Sequence, residues 1–195
     1  MKGKIETSKR EIVDILKAWV VISVAFAVII SNRSFTDKFL FNLFLSAVTV
    51  GVGFLLHELS HKVVAQKYGA IAEFRSFDIM LVLALAMSFS LGAIFAAPGA
   101  VMIAGGNINI QRYGKISAVG PLMNLFLAII FLIIKYLDIN ANINLIGEYG
   151  FFINSWLALF NMIPIWEFDG RKIFQWSKGV WIAIVAVAVV FLFVL

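Results

Sequence analysis

FLFNLFLSAVTVGVGFLLHELSHKVVAQ, at residues 39–66, is apolar over most of its length and carries a group of ionisable side chains near its end. About 20 consecutive apolar residues suffice to cross the hydrocarbon core of a bilayer as a helix. Ionisable groups inside such a run cost about 2.5–3.5 kcal/mol each on insertion scales, and they usually mark a functional site. The stretch therefore predicts a membrane-spanning helix that carries polar residues of a functional site.

The rest of the chain is also rich in apolar runs. Hydrophobic residues make up 62% of the 195 residues, and the mean hydropathy is +0.98. We predict an all-α polytopic membrane protein with about five transmembrane helices, in a single membrane-embedded domain over residues 1–195. A polar stretch, DINANINLIGEY at 138–149, predicts a loop. The four further predicted spans lie at roughly 11–31, 115–137, 150–166 and 175–195.

Residues 79–97 are long enough to cross the membrane, but PGAVMIAGGNINI follows and predicts strand, Gly-Gly turn and strand. The positive-inside rule distinguishes two topologies. If 79–97 enters and returns on one side, with a cytoplasmic N-terminus, most of the 16 Lys and Arg residues lie in the cytoplasm. If it crosses fully, the two sides of the membrane carry similar numbers of Lys and Arg residues. We therefore predict a re-entrant segment and a short β-hairpin in a multi-pass protein of the cell membrane.

The composition also limits the classes of binding partner. The net charge of +5 comes from scattered basic residues, which in a membrane protein indicates cytoplasmic loops rather than nucleic-acid binding. The chain has no cysteine, so disulfides and thiolate ligands are excluded. The expected partners are the lipid bilayer and transmembrane protein substrates, without nucleic acid. The sequence does not specify an oligomeric state.

The chain has two histidines, His57 and His61, and both lie in the HELSH motif at the end of the first quoted stretch. A spacing of four puts them on one helix face, one turn apart. Both imidazoles can then reach one zinc ion at about 2.0–2.1 Å. In this pattern the glutamate between them, Glu58, is normally the general base and not a ligand.

The third ligand must be a carboxylate, because a catalytic zinc site usually has three protein ligands and no other histidine or cysteine exists. His57 lies near the cytoplasmic end of its helix, and WEFDGRK at 166–172 reaches that side in the favoured topology. A helix break before Asp169 and a glycine after it can turn this carboxylate inward. Glu167 is the competitor, at the expected membrane interface. The other carboxylates near apolar segments are Glu73, Asp78, Asp138 and Glu148.

Two asparagines in apolar helices, Asn124 and Asn161, are candidates for substrate binding. Their amides could hold the substrate backbone or the oxyanion of the transition state. The alternative is helix-to-helix hydrogen bonding, which is common for polar residues in membranes. The sequence leaves both interpretations open.

Three motifs in apolar helices resemble, in their order, those of the site-2 protease family of intramembrane metalloproteases: HELSH at 57–61, GPLMN at 120–124, and NMIP with FDG at 161–170. The family has a zinc ion held by two histidines and one aspartate. The resemblance thus implies His57, His61 and Asp169 as ligands, with Glu58 as base. It covers roughly residues 39–175. A phenylalanine stands before Asp-Gly where the family more often has leucine. We expect a minimal form without a PDZ or regulatory domain.

We therefore predict an intramembrane zinc metalloprotease with one Zn²⁺ per chain and an active site toward the cytoplasm. It would hydrolyse peptide bonds in or near transmembrane segments of substrate proteins. The alternative is a non-catalytic zinc-binding or zinc-transporting membrane protein, which would need the histidines and Asp169 but has no clear use for Glu58. The motifs G-x-S-G and G-x-G-D of serine and aspartyl intramembrane proteases do not occur.

Overall fold

The structure is a computed structural model that describes residues 5–94 and 97–193. It is 73% helical, with one small sheet. A π-helical turn, Ala47–Gly51, joins the helices Phe39–Ser46 and Val52–Lys67 without a break. The elements in chain order are α1 (Lys9–Ile30), α2 (Phe39–Ser46), α3 (Val52–Lys67), β1 (Ile71–Ser76), α4 (Asp78–Ser90), β2 (Gly99–Ala104), α5 (Ile110–Tyr136), α6 (Ala141–Asn161), α7 (Asp169–Trp176) and α8 (Lys178–Phe193).

Three helical stretches in the described part of the chain are long and apolar enough to cross a membrane: α1, the continuous Phe39–Lys67 stretch, and α5. The predicted spans 11–31, 39–66 and 115–137 are therefore confirmed as apolar helices. The chain is thus a helical membrane protein with a small two-stranded sheet. The total of about five transmembrane helices stays a prediction, since α4 and α8 are shorter apolar helices.

The predicted loop at 138–149 is wrong for most of its length, because α6 begins at Ala141. The Asn140 side chain caps this helix by accepting a hydrogen bond from the Ile143 N–H at 3.0 Å. Two glycines in α6 allow it to pack closely against α5. A Cβ on Gly147 would lie 2.5 Å from the backbone nitrogen of Lys135. The polar residues that suggested a loop are instead the first turns of a long helix, and α6 ends at Asn161 before the predicted limit of 166.

The predicted β-hairpin is also wrong in its second strand. β2 forms where expected, and Gly105 and Gly106 turn the chain with φ of 67° and 71°. Residues 107–109, however, form no strand, because Asn109 instead caps α5 and accepts a hydrogen bond from the Arg112 N–H at 2.9 Å. β2 pairs with β1, antiparallel, over all six residues of each strand.

This pairing brings the two ends of segment 77–98 together. The Phe77 N–H donates to the Pro98 carbonyl at 3.0 Å. Between these ends, α4 lies along α1, and the Arg33 guanidinium donates to the Ser90 carbonyl at 3.1 Å. The segment therefore starts and ends at the same edge of the protein, next to the sheet, as expected for a re-entrant segment. Its depth and the side from which it enters stay predictions.

Cysteine labelling can test the topology, since the native chain has no cysteine. Asn107→Cys should react with a membrane-impermeant thiol reagent from the same side as Lys67→Cys, because both positions are exposed at the end of the molecule that carries the sheet. Asn142→Cys, at the start of α6, should react from the opposite side. Reaction of positions 67 and 107 from opposite sides would contradict this topology.

Candidate metal centre

Three buried side chains from two helices meet at one point. The Nε2 atoms of His57 and His61, on α3, each lie 3.1 Å from Oδ2 of Asp169, the first residue of α7. The imidazole rings are 4.7 Å apart and almost perpendicular, at 85°. The exposed fractions of the three residues are only 4%, 7% and 9%. The predicted ligand residues are thus brought together, with one ligand atom of each facing the same point.

Hydrogen bonds at the other ring nitrogens fix the orientation of both imidazoles. Nδ1 of His61 lies 2.7 Å from the carbonyl oxygen of Ile116, on α5. Nδ1 of His57 lies 2.6 Å from Oδ1 of Asn124, also on α5. Because both partners are oxygen acceptors, each Nδ1 carries the proton in the neutral ring, and each Nε2 is the nitrogen whose lone pair can bind a metal ion.

The amide of Asn124 is itself held in this orientation. Its Nδ2 donates to the Gly53 carbonyl at 3.2 Å and to Oδ1 of Asn154 at 3.1 Å. The Asn154 amide in turn donates to the Gly150 carbonyl at 2.9 Å. A carbonyl oxygen can only accept, so Nδ2 of Asn124 faces Gly53 and Oδ1 faces the histidine. This network ties α3, α5 and α6 together behind His57.

The donor set fits a zinc ion. Two imidazole lone pairs and a carboxylate oxygen repel one another unless a proton or a metal cation lies among them, and this combination of ligands is typical of catalytic zinc. Ligand atoms at about 2.0–2.2 Å from a tetrahedral zinc ion are about 3.3–3.6 Å apart. The observed separation of 3.1 Å between each Nε2 and the carboxylate oxygen is within a few tenths of an ångström of that value.

Asp169 reaches this point because α7 begins directly against the end of α6. A Cβ on Gly170 would lie 2.1 Å from the Met162 carbonyl oxygen, so only glycine permits this approach. The helix N-terminus also favours a carboxylate at this position. Glu167, the competing candidate, has a side chain that is 88% exposed and pairs with Arg171 at 3.8 Å. Three of the other candidates lie in other contacts, Glu73 with Arg75, Asp78 with Lys17, and Asp138 with Asn144. The fourth, Glu148, is exposed on α6.

Gly120 on α5 leaves the space that the site occupies. A Cβ at this position would lie 2.5 Å from Nε2 of His61 and 2.6 Å from Nε2 of His57. Real Cβ atoms do not come this close to other heavy atoms. The first residue of the GPLMN motif thus has a physical role, because any side chain there would fill the position of an ion.

Glu58 lies beside the histidines, and its ligand atom is within 4.8 Å of theirs. It is less close to the shared point than Asp169, and its Oε2 accepts a hydrogen bond from the Val101 N–H on β2 at 3.0 Å. The carboxylate is half-buried. This placement favours Asp169 as the third ligand. Glu58 is then a carboxylate next to the site that is not itself a ligand.

The asparagines have contacts of a different kind. Asn124 is fully buried and contacts His57, which matches the alternative of helix-to-helix hydrogen bonding. Asn161 is half-buried, and its amide donates to the Leu157 carbonyl at 2.9 Å within α6. Their substrate-binding roles stay predictions. Sequence reasoning missed Asn154, although a polar residue in an apolar helix was a usable signal. It also missed the backbone partners Ile116 and Val101, which no side-chain pattern indicates.

One known protein is similar to this chain over most of its length. The chain is 40% identical over 175 residues to the protein named "Putative zinc metalloprotease MJ0611" of Methanocaldococcus jannaschii, covering 89% of this chain and 88% of that protein. The chain belongs to this family of zinc metalloproteases. No protein-family model and no solved structure matches the chain.

Removal of any of the three ligand candidates should lower the zinc content. Purified protein should carry about one zinc per chain, and His57→Ala, His61→Ala and Asp169→Ala should each reduce this value, as measured by elemental analysis. Glu167→Ala serves as the control, since its exposed carboxylate is two residues away and should have no effect. An unchanged zinc content in Asp169→Ala, together with a lower zinc content in Glu167→Ala, would assign the role of third ligand to Glu167.

Gly120→Ala should also remove zinc, although it alters no ligand. The added methyl group would lie within 2.6 Å of both Nε2 atoms, while alanine is about 1 kcal/mol more favourable than glycine in a helix. The same analysis on Gly179→Ala gives a matched control, because a Cβ there meets no atom within 4 Å. An unchanged zinc content in Gly120→Ala would mean that the ion binds elsewhere.

Proposed function

We propose that this chain is an intramembrane zinc metalloprotease of the site-2 protease family that hydrolyses peptide bonds in or near transmembrane segments of other proteins. The observation that carries the proposal is the convergence of His57, His61 and Asp169 inside an apolar helical bundle, with Glu58 next to them. The zinc metalloprotease relative supports the chemistry. The order of the three sequence motifs supports the narrower family.

In this proposal His57, His61 and Asp169 hold one zinc ion. When bound, the ion supplies a Lewis acid that acidifies a water molecule and polarises the scissile carbonyl. Asn124 and the Ile116 carbonyl keep both Nε2 lone pairs directed at the ion by accepting the Nδ1 protons. Partners of this kind typically contribute about 10–100-fold in metal affinity or activity.

Glu58 acts as the general base. Its carboxylate takes a proton from the attacking water and delivers it to the leaving amine when the peptide bond breaks. The hydrogen bond from the Val101 N–H fixes Oε2 at 3.0 Å, so that the carboxylate stays beside the histidines. The remaining lone pairs of the carboxylate are available for the proton.

The outer edge of β2 is the proposed binding site for an extended substrate. Val101 directs its N–H away from β1 and toward Glu58. In an antiparallel pair this orientation alternates, so the backbone groups of Gly99 and Ile103 face the same edge. A peptide could pair with the backbone groups of Gly99 and Ile103 on this edge, on either side of the Val101 N–H that Glu58 occupies. An unwound substrate is required because the hydrogen bonds of a helix shield its carbonyl groups.

The proposal also includes the partners of the enzyme and its placement in the membrane. The substrates are transmembrane proteins within the bilayer, with the N-terminus of the enzyme in the cytoplasm. His57 lies ten residues, or about 15 Å, before the end of α3 at Lys67. A cytoplasmic N-terminus would put this end of α3 in the cytoplasm, which supports an active site toward that side. Asn161 stays the substrate-binding candidate, because it immediately precedes Met162, which packs against Gly170 next to the site.

A zinc transporter is the competing function, and it would be expected to have further metal ligands along a path through the membrane. Over residues 5–94 and 97–193, close His, Asp and Glu ligand atoms come together at one place, around His57 and His61, with Asp169 and Glu58 beside them. This single cluster favours hydrolysis at one site over stepwise transport.

Glu58→Gln tests the proposal. Glutamine keeps nearly the same shape and can still accept the Val101 hydrogen bond, but it cannot take the proton. Cleavage of a reporter transmembrane substrate in liposomes should fall by about 10²–10⁴-fold, while the zinc content stays near one per chain. Glu167→Gln, on an exposed carboxylate, should cleave at the wild-type rate.

A transporter would give the opposite pattern. Wild-type protein would cut no substrate in a panel of reporters, with or without chelator, and zinc flux into liposomes would depend on Glu58. That combination would contradict the protease assignment.

A further inference from the structure

A second charged pair is buried close to the proposed active site and has no part in the chemistry described above. Nζ of Lys62, on α3, lies 2.6 Å from Oε2 of Glu11, on α1. Their exposed fractions are 2% and 0%. Nζ also donates to the Thr7 hydroxyl at 2.9 Å. Burial of two charges costs about as much as their attraction returns, so such a pair is weak evidence for stability and invites a positional explanation.

The Glu11 carboxylate also binds the sheet. Its other oxygen, Oε1, accepts a hydrogen bond from the Phe74 N–H of β1 at 2.9 Å. A single carboxylate therefore bridges α3, through Lys62, to the backbone of β1. The Phe74 ring is fully buried and packs edge-on against Phe54 of α3, with ring centroids 6.0 Å apart. The helix and the sheet are thus joined by both polar and apolar contacts.

The register of the sheet connects this bridge to the active site. Phe74 is the direct cross-strand partner of Val101. The N–H groups of this pair leave the sheet at opposite edges: one reaches Glu11 and the other reaches Glu58. On α3, Glu58 and Lys62 are one helical turn apart. The helix α3 and the sheet are therefore linked at two places. On α3 the links involve Glu58 and Lys62, which are one turn apart, and on the sheet both links reach the Phe74–Val101 pair.

We propose that Glu11 and Lys62 are positioning residues for Glu58: their ion pair fixes the sheet against α3 and so sets the place of the Val101 N–H that holds the general base. The inference rests on the proposed function, because it assigns a task to Glu58 in hydrolysis. It also gives the start of α1 a part in the active site, in addition to any role as a membrane helix.

Glu11→Ala removes the ion pair with Lys62 and the hydrogen bond from the Phe74 N–H, and it leaves every proposed metal ligand in place. In liposomes with a reporter transmembrane substrate, kcat should fall at least about 10-fold, since a displacement of about 1 Å at a reacting group can cost about 10²-fold. KM and zinc content should change little. Hydrogen–deuterium exchange in segment 99–104 should become faster, because the sheet loses its anchor on α1.

Rescue and control variants separate positioning from general damage. Glu11→Gln combined with Lys62→Gln keeps an acceptor for the Phe74 N–H and a neutral hydrogen bond between α1 and α3, and it removes both buried charges, so it should recover most of the wild-type kcat. Lys62→Met alone leaves the Glu11 charge unpaired and should be impaired. Asp14→Asn is the matched control, because Asp14 joins α1 to β1 through the Ser76 hydroxyl at 2.9 Å, away from the Phe74 backbone.

The proposal is overturned if Glu11→Ala keeps wild-type kcat and exchange, or if Asp14→Asn loses as much kcat as Glu11→Ala. If Glu11→Ala does not fold, Lys62→Met decides: wild-type kcat and exchange in that variant overturn the proposal, and impairment that the double variant relieves supports it. Failure of the proposed function looks different, since wild-type protein would then cut no reporter at all.

Discussion

The convergence of three electron-pair donors at one buried point is the constraint on which the rest of the described structure depends. Two histidine nitrogens from α3 and the Asp169 carboxylate from α7 face one another at 3.1 Å, in a bundle where unsatisfied polar groups are costly. Asn124 and the Ile116 carbonyl orient the two imidazoles. Gly120 leaves the space between them. The packing of α3, α5, α6 and α7 is therefore arranged around the requirements of a cation.

Much of this could be predicted from the sequence, because the rules involved are local. A spacing of four places His57 and His61 on one helix face in any fold, and long apolar runs predict membrane helices without knowledge of their neighbours. Helix depth, the helix break before Asp169 and the family resemblance favour Asp169 over Glu167. The structure gives these two carboxylates very different surroundings, one against both histidines and the other 88% exposed.

The rest depends on contacts between residues that are distant in sequence. Val101 binds Glu58 across 43 residues and Asn124 binds Asn154 across 30, so neither partnership leaves a local signal. The strand partner of β2 was misassigned for the same reason, since a glycine turn favours a hairpin but Asn109 begins a helix instead. The start of α6 was missed because its polar first turns have the composition of a loop.

Zinc K-edge X-ray absorption on the purified protein in lipid nanodiscs tests the central claim most directly. The account predicts a zinc shell of two imidazole nitrogens with light oxygen neighbours at about 2.0–2.2 Å, and the loss of one short oxygen contribution in Asp169→Ala. A spectrum without imidazole scattering, or one that Asp169→Ala leaves unchanged, would contradict it, because the ion would then lie away from the point where the two histidines and the aspartate meet.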